Sequence, residues 1–353
     1  MSLQELRVQD LRCIASVELE FAPRLNLISG PNGSGKTSLL EAIHLLGRGR
    51  SFRTRNTERL IRRGETRLLV FGRTADSLPH DLGVGCDRER GVEARVDRRP
   101  VDSLAELSAL LPLQLIDPGI HRLVEEGPLQ RRRWVDWGVF HVEPDFIRAW
   151  SDYTRALRQR NAALKQGEST DPWDHEVARL GEGLALSRQS LLEALHPEWH
   201  AICGRLLAGL ELDWSFHRGW SQDHTLLESL ALHGARDRER GSTGTGAHRF
   251  DVALKVNGRL AREVLSRGQQ KLLGASMTLA MARLTSRTGP ERLPMLLLDD
   301  PAAELDREKT RLLIDEIAGL QCQLIVTSLD PDRPEFGPPE RAFHVEQGRV
   351  ITL

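Results

Sequence analysis

What this 353-residue chain lacks already narrows its function. No stretch of about 18 residues, the minimum for a membrane-spanning helix, is apolar throughout, so no membrane role is expected. The start, MSLQELRVQDLRC, is charged and amphipathic and has no apolar core of a secretory signal. Cysteine is sparse: Cys13, Cys86, Cys203 and Cys322 lie far apart with no paired spacing. That excludes a disulfide framework and a zinc site, and predicts reduced thiols in a cytoplasmic protein. Lysine supplies only five of the 49 basic residues, the rest being arginine. A basic excess is also missing, since 50 acidic residues bring the net charge to −1, so composition gives no sign of a polyanionic partner. At 40% hydrophobic and 28% charged, what remains is an ordinary globular composition, long enough for one large domain or two modest ones.

Apolar or alternating runs at 2–8, 16–21, 25–29, 67–74, 81–86 and 92–96 predict short strands, the last two as a hairpin. From 127 to 208 the period turns helical. Runs near 144–166 and 174–208, parted by Pro172 and GESTDP, predict an antiparallel helix pair. The charged, glycine-rich GARDRERGSTGTGA (234–247) reads as a mobile loop. Strand and helix then alternate: strand 249–256, helix 266–285, strand 294–298, helix 306–318, strand 323–327 and a hairpin around 342–352. An α/β pattern thus flanks a helical insert. The expected organisation is a discontinuous nucleotide-binding domain, 1–120 with 248–353, and a helical lobe at 121–247. Trp134, Trp137, Trp150 and Trp214 fall among apolar neighbours and are expected in the core, and His248 is expected to be structural.

Gly30, Pro31, Asn32, Gly33, Ser34, Gly35, Lys36 and Thr37 match G-x-x-x-x-G-K-[ST] without deviation, and Ser38 follows in the helix they open. The context agrees: apolar residues 25–28 precede, and Leu39, Leu40, Ile43 and Leu46 follow at helical spacing. Glycines let backbone N–H groups curl around phosphates at the positive end of a helix. Lys36 is expected to reach the β- and γ-phosphates, and Thr37 to ligate Mg²⁺. Kinases, GTPases and motor ATPases share this loop, so it names a ligand class and not a reaction.

MLLLDDPAAELD (295–306) is an apolar strand ending in two carboxylates. Asp299 is placed to hold Mg²⁺, and Asp300 to orient or deprotonate an attacking water. In LSRGQQKLLGASMTLAMARL (265–284), Ser266 and Gln269 have the spacing of a capping box at a helix start. A capped start also presents its hydroxyl, its N–H groups and its dipole to an anion. With Gly268, the segment resembles the signature of the ABC ATPase superfamily, usually LSGGQ. The resemblance implies that Ser266, Gly268 and Gln269 of one subunit contact ATP held by another, and that Asp306 sits in a turn at that homodimer interface. Thr327 and Ser328 stand where transporter ATPases carry a switch histidine, and Asp300 where they carry glutamate. Both departures argue against a transporter and imply slow hydrolysis.

Over essentially its whole length the chain resembles the RecF family of bacterial recombination mediators. The marks are LRCIASVELEF, GPNGSGKTSLLEAIHLLGRGRSFR, LPLQLIDP, RRRWVDWGVFHVEPDF, HRFDVAL, LSRGQQKLL and LLLDDPAAELD. The tract 131–146 lies outside generic ABC chemistry, and the short insert separates the chain from SMC heads, which long coiled coils divide. The resemblance implies an α/β fold, an ABC-type P-loop ATPase head with an inserted, mainly helical lobe. It implies a weak, DNA-stimulated ATPase that uses ATP and Mg²⁺, forms an ATP-dependent homodimer, and binds duplex DNA and single-strand/duplex junctions. The implied partners are RecR and RecO, in loading RecA at gaps and stalled forks. By the same resemblance Arg12 is expected against the nucleotide, and Gln114 near Mg²⁺ or the γ-phosphate.

The residues themselves add a reason for DNA. Between Arg48 and Arg67 lie eight arginines against Glu58 and Glu65, a local charge of +6. Such density suits sequence-independent phosphate contacts, with Arg50, Arg53, Arg55, Arg62 and Arg63 as the candidates. The alternatives are a solvated charged face on an ATP-gated scaffold with no DNA contact, or another ABC-class ATPase subunit.

Overall fold

Alternating burial along Leu3–Leu11, Arg67–Thr74 and Asp81–Asp87 is what a sheet with one solvated face requires. A computed structural model, describing residues 2–75, 77–143, 145–287, 294–329 and 336–353, shows these strands in one antiparallel sheet. Its order is Ile14–Glu20, Leu3–Leu11, Arg67–Thr74, Asp81–Asp87, Gly91–Val96, Arg99–Pro100. The mostly apolar, buried runs lie in the inner part of a second sheet that the terminal hairpin extends, ordered Arg349–Thr352, Arg341–Glu346, Leu25–Ser29, Leu324–Ser328, Met295–Asp299, Leu113–Ile116. All its pairings are parallel except the terminal hairpin. Burial on both faces explains the runs.

The two sheets belong to one compact unit, Met1–Ile120 with Met277–Leu353. The helix Lys36–Arg48 packs against strands of both. Leu39, Leu40, Ala42, Ile43, Leu45 and Leu46 all have 0% exposure. The helix is therefore buried round most of its circumference, not only on the face its spacing predicted.

The second unit is His121–Ser276. The expected return at residue 248 thus comes later, inside the helix Arg267–Arg287. The reason is pairing: Asp251–Val256 lies between Leu212–His217 and Arg259–Leu260 in a three-stranded sheet of this unit. Its helix pair is Phe146–Gln166 and Asp171–Leu206, with Pro172 in the first turn of the latter, where a missing N–H costs nothing.

The expected loop at 234–247 is half helix. Leu226–Arg240 starts at a Thr225–Glu228 capping box and ends at Gly241, φ 64°. Glycine content hid a charged helix whose Asp237 is buried. Trp134, Trp137 and Trp214 are buried as expected, but Trp150 is 41% exposed. His248 is structural: it bonds the Tyr153 hydroxyl at 2.8 Å and the Thr243 carbonyl at 3.0 Å, and burial lowers its pKa to about 4.

Three buried arginines cross-link this unit. Arg160 reaches Asp174, Asp237 (2.8 Å) and Thr243 (2.7 Å). Arg188 grips Asp136 at 2.7 and 3.1 Å and donates to the Ala247 carbonyl at 2.6 Å. Arg131 pairs with Asp251 at 2.9 and 3.1 Å. Such pairs tolerate joint replacement better than loss of one member, which strands a buried charge. Arg160→Met is expected to destabilise the protein by about 3–5 kcal/mol in urea unfolding, and Arg160→Met with Asp237→Leu to recover part of that loss.

Candidate functional site

The parallel register aligns three strand ends: Ser29 lies beside Ser328, and Thr327 beside Asp299. Open α/β sheets bind ligands beyond such carboxyl ends. Here Ser29 leads into the loop 30–37, whose Gly30, Gly33 and Gly35 have φ of 146°, 77° and 122°, a region only glycine enters without strain. A Cβ on Gly30 would fall 2.2 Å from the Val345 carbonyl oxygen, so the first motif glycine is fixed by sterics as well.

Lys36 is buried, and its ammonium donates to the Gly30 and Pro31 carbonyls at 2.6 and 2.9 Å. Burial lowers its pKa, against the pull of Asp300 and Asp299. The Ser34 hydroxyl is buried without a hydrogen-bond partner. An unpartnered buried donor is costly, and with the lysine it gives the loop donors to spend on phosphate oxygens. The residues fit a nucleotide.

Thr37 donates to Asp299 with both carboxylate oxygens at 3.0 Å. This is the hard-oxygen pair a Mg²⁺ ion takes. Thr327 donates to Asp299 at 2.8 Å and accepts from the Asp300 N–H at 3.0 Å. Burial raises the Asp299 pKa, and the two threonine bonds oppose it. Asp300 has φ 45°, so its turn is held in the left-handed region by what surrounds it. Thr327 is a functional neighbour that the sequence marked only as the place of a missing histidine.

Arg12 lies with φ 55° in the turn after the first strand. It makes two bonds, 2.9 and 3.0 Å, to Glu41 of the phosphate-loop helix. The motif reading passed over Glu41, although the one carboxylate in the mainly apolar SLLEAIHLL was a visible signal. Gln114 does not reach the site. Its register partner is Leu296, three residues before Asp299, which at strand rise leaves it about 10 Å short. The resemblance placed it near Mg²⁺ or the γ-phosphate, but the strand register does not.

Ser266 and Gln269 form the predicted capping box, at 2.9 and 3.4 Å. Ser266 is exposed and Gly268 half-buried. Asp306 caps the helix Arg307–Ala318 by accepting from the Lys309 N–H at 2.8 Å, and the Lys309 side chain holds its carboxyl below the usual range.

The basic block divides. Arg48 turns inward to the Leu113 carbonyl at 2.8 Å, and burial lowers its pKa to about 9. Of the DNA candidates, Arg53 is exposed and lies 3.9 Å from Glu41. Arg62 lies 3.6 Å from Asp10. Arg50, Arg55 and Arg63 are exposed, as are Arg59 and Arg67.

The model of the RecF/RecN/SMC N-terminal domain matches residues 2–347. The DNA replication and repair protein RecF of Pseudomonas aeruginosa (strain LESB58) is 39% identical over 99% of this chain and 97% of its own length. That of Erwinia tasmaniensis is 37% identical over 100% and 99%. A solved structure of the recombination mediator RecF-ATP superposes with a TM-score of 0.89, at 24% identity, over 100% of this chain and 97% of that one. RecF-ATPrS gives 0.86 at 25% identity, over 99% and 98%. An SMC head bound to a ScpA domain gives 0.63 at 15%, over 100% and 98%, which shows a shared fold. On the domain match and on relatives that align from end to end, the chain belongs to the RecF family.

Proposed function

We propose that the chain is an ATP-dependent recombination mediator. It binds ATP with Mg²⁺, dimerises on duplex DNA or single-strand/duplex junctions, and hydrolyses ATP slowly under DNA stimulation. With RecR and RecO it helps load RecA at gaps and stalled forks, in the cytoplasm. The observation that carries this reading is the meeting of Thr37 with Asp299 at 3.0 Å, beside Lys36 and Asp300. The names of the solved relatives, RecF-ATP and RecF-ATPrS in the RecFOR pathway, support the ligand and the partners.

Mg²⁺, when bound, neutralises phosphate charge and orients the transferring group. The chain's own residues do the rest. Lys36 and the loop N–H groups bind phosphate oxygens, Thr37 and Asp299 hold the metal, and Asp300 positions the attacking water. The exposed signature start, Ser266 to Gln269, presents its donors to a second subunit's nucleotide. The missing switch histidine and the short carboxylate side chain at 300 favour slow turnover. In this reading the unit 1–120 with 277–353 is the ATPase head. The long ion pairs of Arg53 with Glu41 and of Arg62 with Asp10 keep the DNA-free scaffold as a second reading, and arginine reversal separates the two.

Lys36→Met is expected to abolish the ATP-dependent dimer in sedimentation. Asp300→Asn is expected to retain that dimer while hydrolysis falls about a hundredfold or more. A wild-type protein monomeric with ATP at every concentration would sink the mechanism.

Burial raises the Asp299 pKa above its unfolded value, so native stability declines as pH rises through the folded pKa. Asp299→Asn is therefore expected to raise the ligand-free melting temperature at neutral pH, and to remove the further rise that Mg²⁺ and ATP give the wild type in differential scanning fluorimetry.

Arg55→Glu with Arg63→Glu is expected to weaken duplex binding about tenfold or more at low salt, and to reduce the slope of log affinity against log salt by about 2. Unchanged affinity favours the scaffold.

A further inference from the structure

Resting on that reading, nucleotide binding and the basic segment need a physical link, and one buried group of the phosphate-loop helix contacts the basic segment. Glu41 follows Thr37 by one helical turn on the same helix face and has 0% exposure. Its carboxylate accepts from Arg12 at 2.9 and 3.0 Å and from the Ser51 hydroxyl, and Arg53 stands 3.9 Å away. One negative charge is thus shared by two guanidinium groups, one gripped in bidentate geometry and one held loosely.

Each partner leads elsewhere. Arg12 adjoins Cys13, whose thiol lies 3.8 Å from the Ser34 carbonyl of the phosphate loop. The Ser51 hydroxyl accepts the N–H groups of Arg53 and Thr54 at 3.0 and 3.1 Å, so the carboxylate also fixes the turn from which the exposed arginines begin. The cluster carries an excess positive charge one turn below the residue that meets the metal-binding carboxylate.

We propose that Glu41 is a positioning residue that couples nucleotide occupancy to the placement of the basic segment. Phosphates arriving in the loop compete with Glu41 for Arg12. As the bidentate grip on Arg12 loosens, the same carboxylate closes on Arg53 and tightens the Ser51 turn. The arginines beyond it are then presented in a fixed arrangement to a polyanion. Because the coupling is a free energy, it is reciprocal: duplex DNA raises nucleotide affinity by the same factor.

The test measures duplex affinity by fluorescence anisotropy without nucleotide and with ATPγS, for the full-length wild type, Glu41→Gln and Ser51→Ala. Hydrogen exchange at the Arg53 and Thr54 amides is followed in parallel. The wild type is expected to bind duplex about tenfold tighter with nucleotide, and the variants to show a ratio within about twofold of one. Nucleotide is expected to increase protection of the two amides in the wild type only, a change that a purely structural Glu41 would not produce. Ser51→Ala leaves the Arg12–Glu41 pair intact and carries the test if Glu41→Gln does not fold. A folded variant that keeps the wild-type ratio overturns the coupling role. A wild type whose duplex affinity ignores nucleotide overturns the functional reading on which it rests.

Discussion

A carboxylate taken out of water must be met by donors or lose its charge, and this structure is organised by where those donors come from. Asp299 is met by hydroxyls, from Thr37 on the phosphate-loop helix and Thr327 on the adjacent strand. Glu41, Asp136, Asp237 and Asp251 are met by arginine. The difference has a functional sense. Hydroxyls leave Asp299 without a counter-charge in direct contact, suited to a cation that comes and goes, whereas a guanidinium fork fixes its partner.

The same contrast explains how a chain with net charge −1 can be so rich in arginine. Arginine serves as an internal strut in the unit 121–276, where buried Arg131, Arg160 and Arg188 meet the partly buried Asp251 and Asp136 and the buried Asp237. Its planar fork makes two bonds at once, which lysine cannot. Near the phosphate loop, arginine is divided between internal grip and solvent: Arg48 and Arg12 turn inward while Arg55 and Arg63 are exposed. Charge density along the chain therefore overstates the surface offered to a polyanion.

Much of the site was legible because its residues are local in sequence. The loop 30–37 and the acids at 299 and 300 each need a fixed spacing within one turn or strand end, as does the capping box at 266–269 in the other unit, and spacing is what a sequence displays. Gln114 was misplaced because reach depends on strand register, and its partner Leu296 is known only once the strands pair. Glu41 was passed over, and Thr327 marked only for a missing histidine, because their importance lies in contacts with residues 29 and 28 positions away. The helix Leu226–Arg240 was hidden by the glycines that follow it, and by an Asp237 whose burial beside Arg160 has no local signature.

The sequence by itself determined the phosphate loop, the carboxylates that face it, the α/β alternation and the family, since each follows from residue type at short range. Only the tertiary structure decided which arginines remain exposed, where the second unit ends, and that Arg12, Ser51 and Arg53 converge on one carboxylate. The reason is that charge pairing and burial depend on distance in space, and the strands that bring those residues together pair across segments far apart in the chain.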